Sequence, residues 1–192
     1  MEDQKKSLAN LGKKSFYFFA RGILSKDYMV PQVHKPMCAF MQDEAIRRKI
    51  IVLPRSFLKS TLGCIALPLW LGIQNPDIRI LIVCNIIENA MNHLRQIKAV
   101  VETNDMFRAL YREVIPDPRK VRWSDQHVDL KRPTQWGEST FNAAGLGGNI
   151  VSTHYDYIIM DDILTGKKDS VTKEELMPSQ LEIERAIRLY SK

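Results

Sequence analysis

No stretch of this chain stays apolar for the roughly 20 residues that a membrane-crossing helix needs. Cysteine is scarce. Cys38, Cys64 and Cys84 lie far apart, two of them in or beside apolar segments. That argues against a disulfide framework or a cysteine zinc motif, and predicts buried, reduced thiols as in a cytosolic protein. The four histidines, His34, His93, His127 and His154, lack metal-ligand spacing, which assigns them surface or hydrogen-bonding roles. No serine or cysteine stands in a nucleophile-elbow context. There is no internal repeat and no low-complexity tract. Acids in the first residues, Glu2 and Asp3, argue against a secretory signal. Neither sign of charge dominates: 28 Lys and Arg against 22 Asp and Glu leave a net charge of +6. That mild basic bias is compatible with a polyanionic partner without requiring one.

What is present is enough for one domain with a core. The 192 residues read as a helical extension packed on the core over 1–48 and an α/β core over 49–192. Leu8, Leu11, Phe16, Phe19 and Ile23 share a broad apolar side and predict a helix over 5–24. Pro31 and Pro36 predict a turn, and 37–48 a second helix. Residues 50–53 are all apolar and predict a central parallel strand. A helix follows Ser60, with Pro68 placed to kink it. Residues 79–84 predict a buried strand and 86–103 a helix that Asn104-Asp105 breaks, with a short helix to Val114. Short strand pieces are expected at 121–123, 128–130 and 139–141, a glycine loop at 145–148, and a strand at 157–161. Thr172 to Glu175 fit a capping box for a last helix. Strands alternating with helices predict an α/β fold with a parallel sheet covered on both faces.

Two of these strands end in chemistry. Ile50 to Leu53 runs into Pro54-Arg55-Ser56-Phe57-Leu58-Lys59-Ser60-Thr61. A lysine at a strand-to-helix turn can hold the β- and γ-phosphates of a nucleotide, the adjacent Ser60 hydroxyl can hold Mg²⁺, and the free N–H groups of the new helix add to the site. Leu53 and Leu58 occupy the positions where such a loop normally carries glycine, used there because the backbone curls tightly around phosphate. On this segment alone, an ordinary strand-loop-helix turn with a solvated lysine fits equally well. The second strand, Tyr157 to Met160, ends in Asp161-Asp162. Adjacent carboxylates at a buried strand tip repel and call for a cation or a base. Asp161 falls where Mg²⁺ needs a carboxylate, and Asp162 where an acid orients the attacking water. Lys59-Ser60 joined to this pair predicts nucleotide binding. Asp162 is one methylene shorter than the usual glutamate, which makes efficient hydrolysis a weaker expectation than binding.

Residues 53–61, 83–98 and 139–164 together resemble the ATPase domain of the large terminase subunit of tailed bacteriophages, over about residues 34–170. The resemblance implies a P-loop NTPase fold of the ASCE or RecA-like type, a parallel-type sheet flanked by helices. Pro54, Arg55, Lys59, Ser60 and Thr61 match the family's phosphate loop, with Arg55 as the arginine that senses or stabilises the γ-phosphate. Ser56, Phe57 and Leu58 depart from the Gly-His-Gly common there and weaken the expectation of tight triphosphate binding. His154 and Asp156 match the approach to the second motif; Asp161 and Asp162 match its metal-binding and water-orienting acids. Family members are rings of subunits, docked on a portal, that move double-stranded DNA into a capsid and carry a C-terminal nuclease. This chain has no room for the nuclease and ends before the expected coupling motif. It is therefore expected to be an N-terminal fragment or a shortened relative.

The expectation is thus an ATP hydrolase that uses Mg²⁺ to power packaging of double-stranded viral DNA. Its implied partners are DNA, a portal protein and a small terminase subunit. Its implied place is the host cytoplasm, and transiently the procapsid portal. Catalysis would rest on Asp162, Arg55 and Lys59, nucleotide binding on residues 54–61, and metal binding on Ser60 and Asp161. Three rivals stand beside it: a nucleotide-dependent assembly module without efficient hydrolysis, a helicase-like DNA translocase, and a plain DNA-binding domain. The clusters Arg47-Arg48-Lys49, Arg119-Lys120-Arg122 and Lys131-Arg132 read first as solvated faces and second as contacts to a DNA backbone. Trp123 and Trp136 read as packing residues.

Overall fold

Five consecutive apolar residues, Ile80–Cys84, form strand β1, and all five are buried. A strand apolar on both sides needs a neighbour along each edge and cover on each face. In the computed structural model, which describes residues 2–147 and 153–163, β1 has both edges filled. It pairs in parallel with β3 (Phe141–Gly145) on one side and with β4 (Tyr157–Asp161) on the other. The two-residue β2 (His127–Val128) runs antiparallel to β3. The order β2-β3-β1-β4 makes a four-stranded mixed sheet, flanked by helices, in an α/β protein. The wholly parallel sheet expected from the sequence is corrected here. The connection between β2 and β3, residues 129–140, holds no helix to serve as a crossover, and the chain returns antiparallel.

Alternation along β1 feeds two clusters. Ile80, Ile82 and Cys84 join the main core, while Leu81 and Val83 pack with Ala144 on the other face. Helix α5 (Ile87–Thr103) lays Ala90, Leu94, Ile97 and Val101 into the main core at helical spacing. Each side chain of leucine or isoleucine size buried this way stabilises the fold by about 1.5–3 kcal/mol. Asn104 ends α5 and caps α6 (Asp105–Leu110), its side chain accepting a bond from the Phe107 N–H at 2.7 Å. A single 3₁₀ turn, Arg112–Val114, follows.

The N-terminal third joins the same core. Helix α1 (Glu2–Lys14) is followed by α2 (Phe16–Phe18), which Ser15 caps, and by a π-helical turn, Phe19–Ile23. The single helix expected over 5–24 is thus broken at Ser15, whose hydroxyl competes for the backbone N–H of Phe18. Phe16, Phe19 and Ile23 are all but fully buried. Two long-range bonds fasten α1: Trp70 Nε1 donates to the Gly12 carbonyl at 3.0 Å and Tyr111 Oη to that of Ala9 at 3.2 Å. Residues Pro31–Gln42 form α3, where the sequence predicted a turn and then a helix over 37–48. Pro31 is at the helix start, where its missing N–H costs nothing, and Pro36 lies within the helix. The helix ends at Gln42, whose side chain is drawn back to bond Phe16 N and Lys14 O.

The predicted strand at 50–53 is the largest correction. These residues are not part of the sheet. Ile51 and Leu53 pack against the core, but Ile50 and Val52 are 86% and 85% exposed. The segment is extended, half-buried chain rather than a central strand. The helix after it begins at Lys59, passes through a π-helical stretch at Thr61–Ala66 and continues as α4 (Leu67–Gln74), with Pro68 as the second residue of α4. No helix among the described residues is long and apolar enough to cross a membrane. The glycine loop at 145–148 lies partly, and the helix expected from Thr172 wholly, outside the described residues.

Candidate functional site

Parallel pairing puts Cys84 opposite Asp161, so β1 and β4 end at the same level. The C-terminal edge of parallel strands is where α/β proteins gather ligand-binding loops. A cleft of about 1200 Å³ opens there. Of the ten residues predicted to form the site, nine line it: Arg55, Ser56, Phe57, Leu58, Lys59, Ser60, Thr61, Asp161 and Asp162. The tenth, Pro54, takes part through its carbonyl.

Lys59 is turned into its own loop. Its Nζ donates to the carbonyls of Leu53 at 2.7 Å and Pro54 at 2.8 Å. The loop therefore curls around an ammonium group, which explains its backbone. Ser56 and Leu58 have φ of 68° and 57°, in the left-handed region that favours glycine. These are the two loop positions where glycine was expected from the resemblance. The chain adopts the curl without the residues that make it easy, at a cost of about 1–2 kcal/mol per residue. Ser56 is exposed, whereas Leu58 recovers part of this by packing on the core. Asp162 also has a left-handed φ, 48°, which turns the chain sharply at the end of β4. Aspartate tolerates that conformation better than most residues.

Asp161 is the hub of the cleft floor. Its Oδ2 lies 3.2 Å from His93 Nε2. The hydroxyl of Ser60 and the thiol of Cys64 line the same cleft and favour the charged form of this carboxylate. The His93 bond holds the Asp161 carboxyl below its ordinary range; burial pushes the other way, and Ser60 and Cys64 assist His93. Burial raises the Cys64 thiol well above its ordinary value, and the negative charge of Asp161 adds to that. The Cys84 thiol is raised to about 12, mainly by burial. The two acids at the strand tip thus differ: Asp161 is half-buried and paired with His93, while Asp162 is exposed at the mouth.

His93 was missed by sequence reading, because its neighbours come from elsewhere in the chain. It stands on α5, a turn and a half beyond the helix start, on the side that faces β4. Local spacing cannot reveal a contact across 68 residues. The other histidines do as expected. His34 Nδ1 bonds the Val30 backbone, His127 Nδ1 pairs with Asn142, and His154 is exposed.

Other motif residues are structural. Asp156 grips Arg79 with both oxygens, at 2.9 Å to Nη2 and 3.1 Å to Nε, and accepts the Arg79 backbone N–H at 2.9 Å. This clamp joins the starts of β1 and β4. The guanidinium holds the Asp156 carboxyl below the usual range. Arg79 also lies 5.0 Å from the ring of Trp136, a cation–π contact. Two basic clusters are likewise part of the frame. Arg122 and Arg132 both pair with Asp129, and Arg122 bonds the carbonyls of Trp136, Gly137 and Glu138. Arg47, Arg48 and Arg119 are exposed. No protein-family model matches the chain, and a search of curated proteins returns no significant match.

Proposed function

We propose that this cleft binds a nucleoside triphosphate with Mg²⁺ and hydrolyses it, as the P-loop ATPase of a DNA-packaging terminase. The observation that carries the reading is the meeting of Lys59, Ser60 and Asp161, residues a hundred positions apart, in the lining of one cleft.

The Lys59 ammonium sits on two neutral carbonyls. Phosphate oxygens are stronger acceptors for a cation, so a triphosphate displaces those bonds at a gain. The first residues of the helix that begins at Lys59 line the same cleft, and amides at a helix start favour anions. Arg55, exposed at the rim, can offset charge that builds on the γ-phosphate. The donor set fits a hard divalent cation: one hydroxyl oxygen, Ser60, and one carboxylate, Asp161, in the same cleft. Bound there with nucleotide, Mg²⁺ would offset phosphate charge. Asp162, exposed at the mouth, would accept a hydrogen bond from water and orient it toward the γ-phosphorus. Exposed Arg47, Arg48 and Arg119 suit the backbone of double-stranded DNA. Portal protein, small terminase subunit, ring assembly and the host cytoplasm follow from the sequence resemblance alone.

One observation favours the rival of binding without turnover. Ser56 and Leu58 strain the loop where glycine is usual. Phosphate release from ATP by the purified chain separates the two. Hydrolysis that Lys59→Ala and Asp161→Asn each lower by about a hundredfold or more supports the ATPase. Nucleotide binding without turnover supports the assembly module, and no nucleotide response at all removes both.

A further inference from the structure

The cleft floor holds a second donor set, which shares Asp161 with the nucleotide reading and adds two residues that reading does not use. Cys64, His93 and Asp161 each offer one ligand atom, and these three atoms lie within 4.8 Å of one another. They come from three elements: the π-helical stretch before α4, helix α5 and strand β4. Cys64 is buried and His93 half-buried, so both donors are held by packing. The His93 Nε2 to Asp161 Oδ2 separation is 3.2 Å. A tetrahedral ion with bonds of about 2.0–2.1 Å to N and O places those atoms roughly 3.3 Å apart. His93 Nδ1 is buried with no hydrogen-bond partner, so the ring is held by Asp161 and packing alone and can turn with little loss.

We infer that Cys64, His93 and Asp161 form a binding site for a thiophilic divalent cation of the Zn²⁺ class. Sulfur and imidazole are poor ligands for Mg²⁺ and good ones for Zn²⁺ or Co²⁺, which take S, N and O together in tetrahedral sites. Three protein ligands leave the fourth position open toward the cleft. On binding, the Cys64 sulfur gives its proton to solvent and bonds the ion as thiolate, and His93 Nε2 bonds it through a lone pair. Asp161 exchanges its hydrogen bonds for the ion. Occupancy therefore takes up the carboxylate that the Mg²⁺ reading needs, making the two uses of Asp161 antagonistic.

The test uses the whole chain without nucleotide, so its outcome does not depend on ATP hydrolysis. Co²⁺ titrated into the protein is read by its thiolate charge-transfer band and tetrahedral visible bands. The expected result is a saturable band that Zn²⁺ abolishes and that Cys64→Ser removes while Cys38→Ser retains. X-ray absorption of the Zn²⁺-loaded, unmutated protein needs no variant. It should show one sulfur at about 2.3 Å with nitrogen and oxygen at about 2.0–2.1 Å. No band, a band that survives Cys64→Ser, or a zinc shell without sulfur would each overturn the site.

Discussion

Ser56 and Leu58 carry the same backbone strain but differ in what their side chains do, so they respond differently to glycine. Ser56 is exposed, and glycine there removes a left-handed penalty of about 1–2 kcal/mol while adding about 0.5–1 kcal/mol of chain entropy. Ser56→Gly is expected to stabilise the protein by roughly 0.5–1 kcal/mol in urea melts; a loss of stability would show that the curl is not left-handed in solution. Leu58→Gly gives up core contact as well and is expected to gain nothing. At Asp156 the prediction concerns pH. Its carboxyl is held below its unfolded value by Arg79, so its contribution is complete above the usual carboxylate range and is lost as pH falls through the lowered, folded-state value. Asp156→Asn should cost about 1 kcal/mol at neutral pH, the low end for a charged hydrogen bond because the side chain is 43% exposed. The deficit relative to the unmutated protein should shrink below about pH 4. A deficit independent of pH would mean that the amide fails for steric reasons instead. The Lys59, Ser60 and Asp161 positions were legible in the sequence, because strand ends and charged residues can be read locally. The Asp161–His93 and Asp156–Arg79 contacts were not, since each depends on which strands and helices become neighbours.

At the scale of elements, periodicity served well where burial was one-sided or complete. Strand β1, helix α5 and strand β4 fall within a residue or so of their predicted bounds. It failed at 50–53, because four apolar residues look the same whether chain neighbours cover one face or two. Ile51 and Leu53 face inward, and Ile50 and Val52 outward. Proline misled in the other direction, since Pro31 opens α3 where a turn was expected. The attachment of α1 rests on a residue without a side chain. A Cβ on Gly12 would meet Tyr111 Oη at 2.2 Å and Ile23 Cδ1 at 2.5 Å. In an isolated helix alanine is better than glycine by about 0.8–1 kcal/mol. Here Gly12→Ala is expected to destabilise by about 1–3 kcal/mol, as overpacked cores do. Thermal melts check this, and an increase in stability would mean that α1 does not dock against Tyr111.

For the molecule as a whole, the α/β class was readable from alternating strand and helix patterns, while the mixed sheet was not. The antiparallel β2 is only two residues long and is held by its neighbours rather than by its own propensity. The topology then does what no single motif can: it ends β1 and β4 side by side and brings Asp161 to the loop that holds Lys59. Central to the functional account is that these groups act on a single nucleotide and its cation. The most direct measurement is equilibrium binding of ATP to the whole chain with and without Mg²⁺, for the unmutated protein, Lys59→Ala and Asp161→Asn. The account predicts that Mg²⁺ tightens ATP binding, that Lys59→Ala weakens it about tenfold or more under both conditions, and that Asp161→Asn abolishes the Mg²⁺ effect alone. Affinity unchanged by Lys59→Ala, or a Mg²⁺ effect that survives Asp161→Asn, would contradict it.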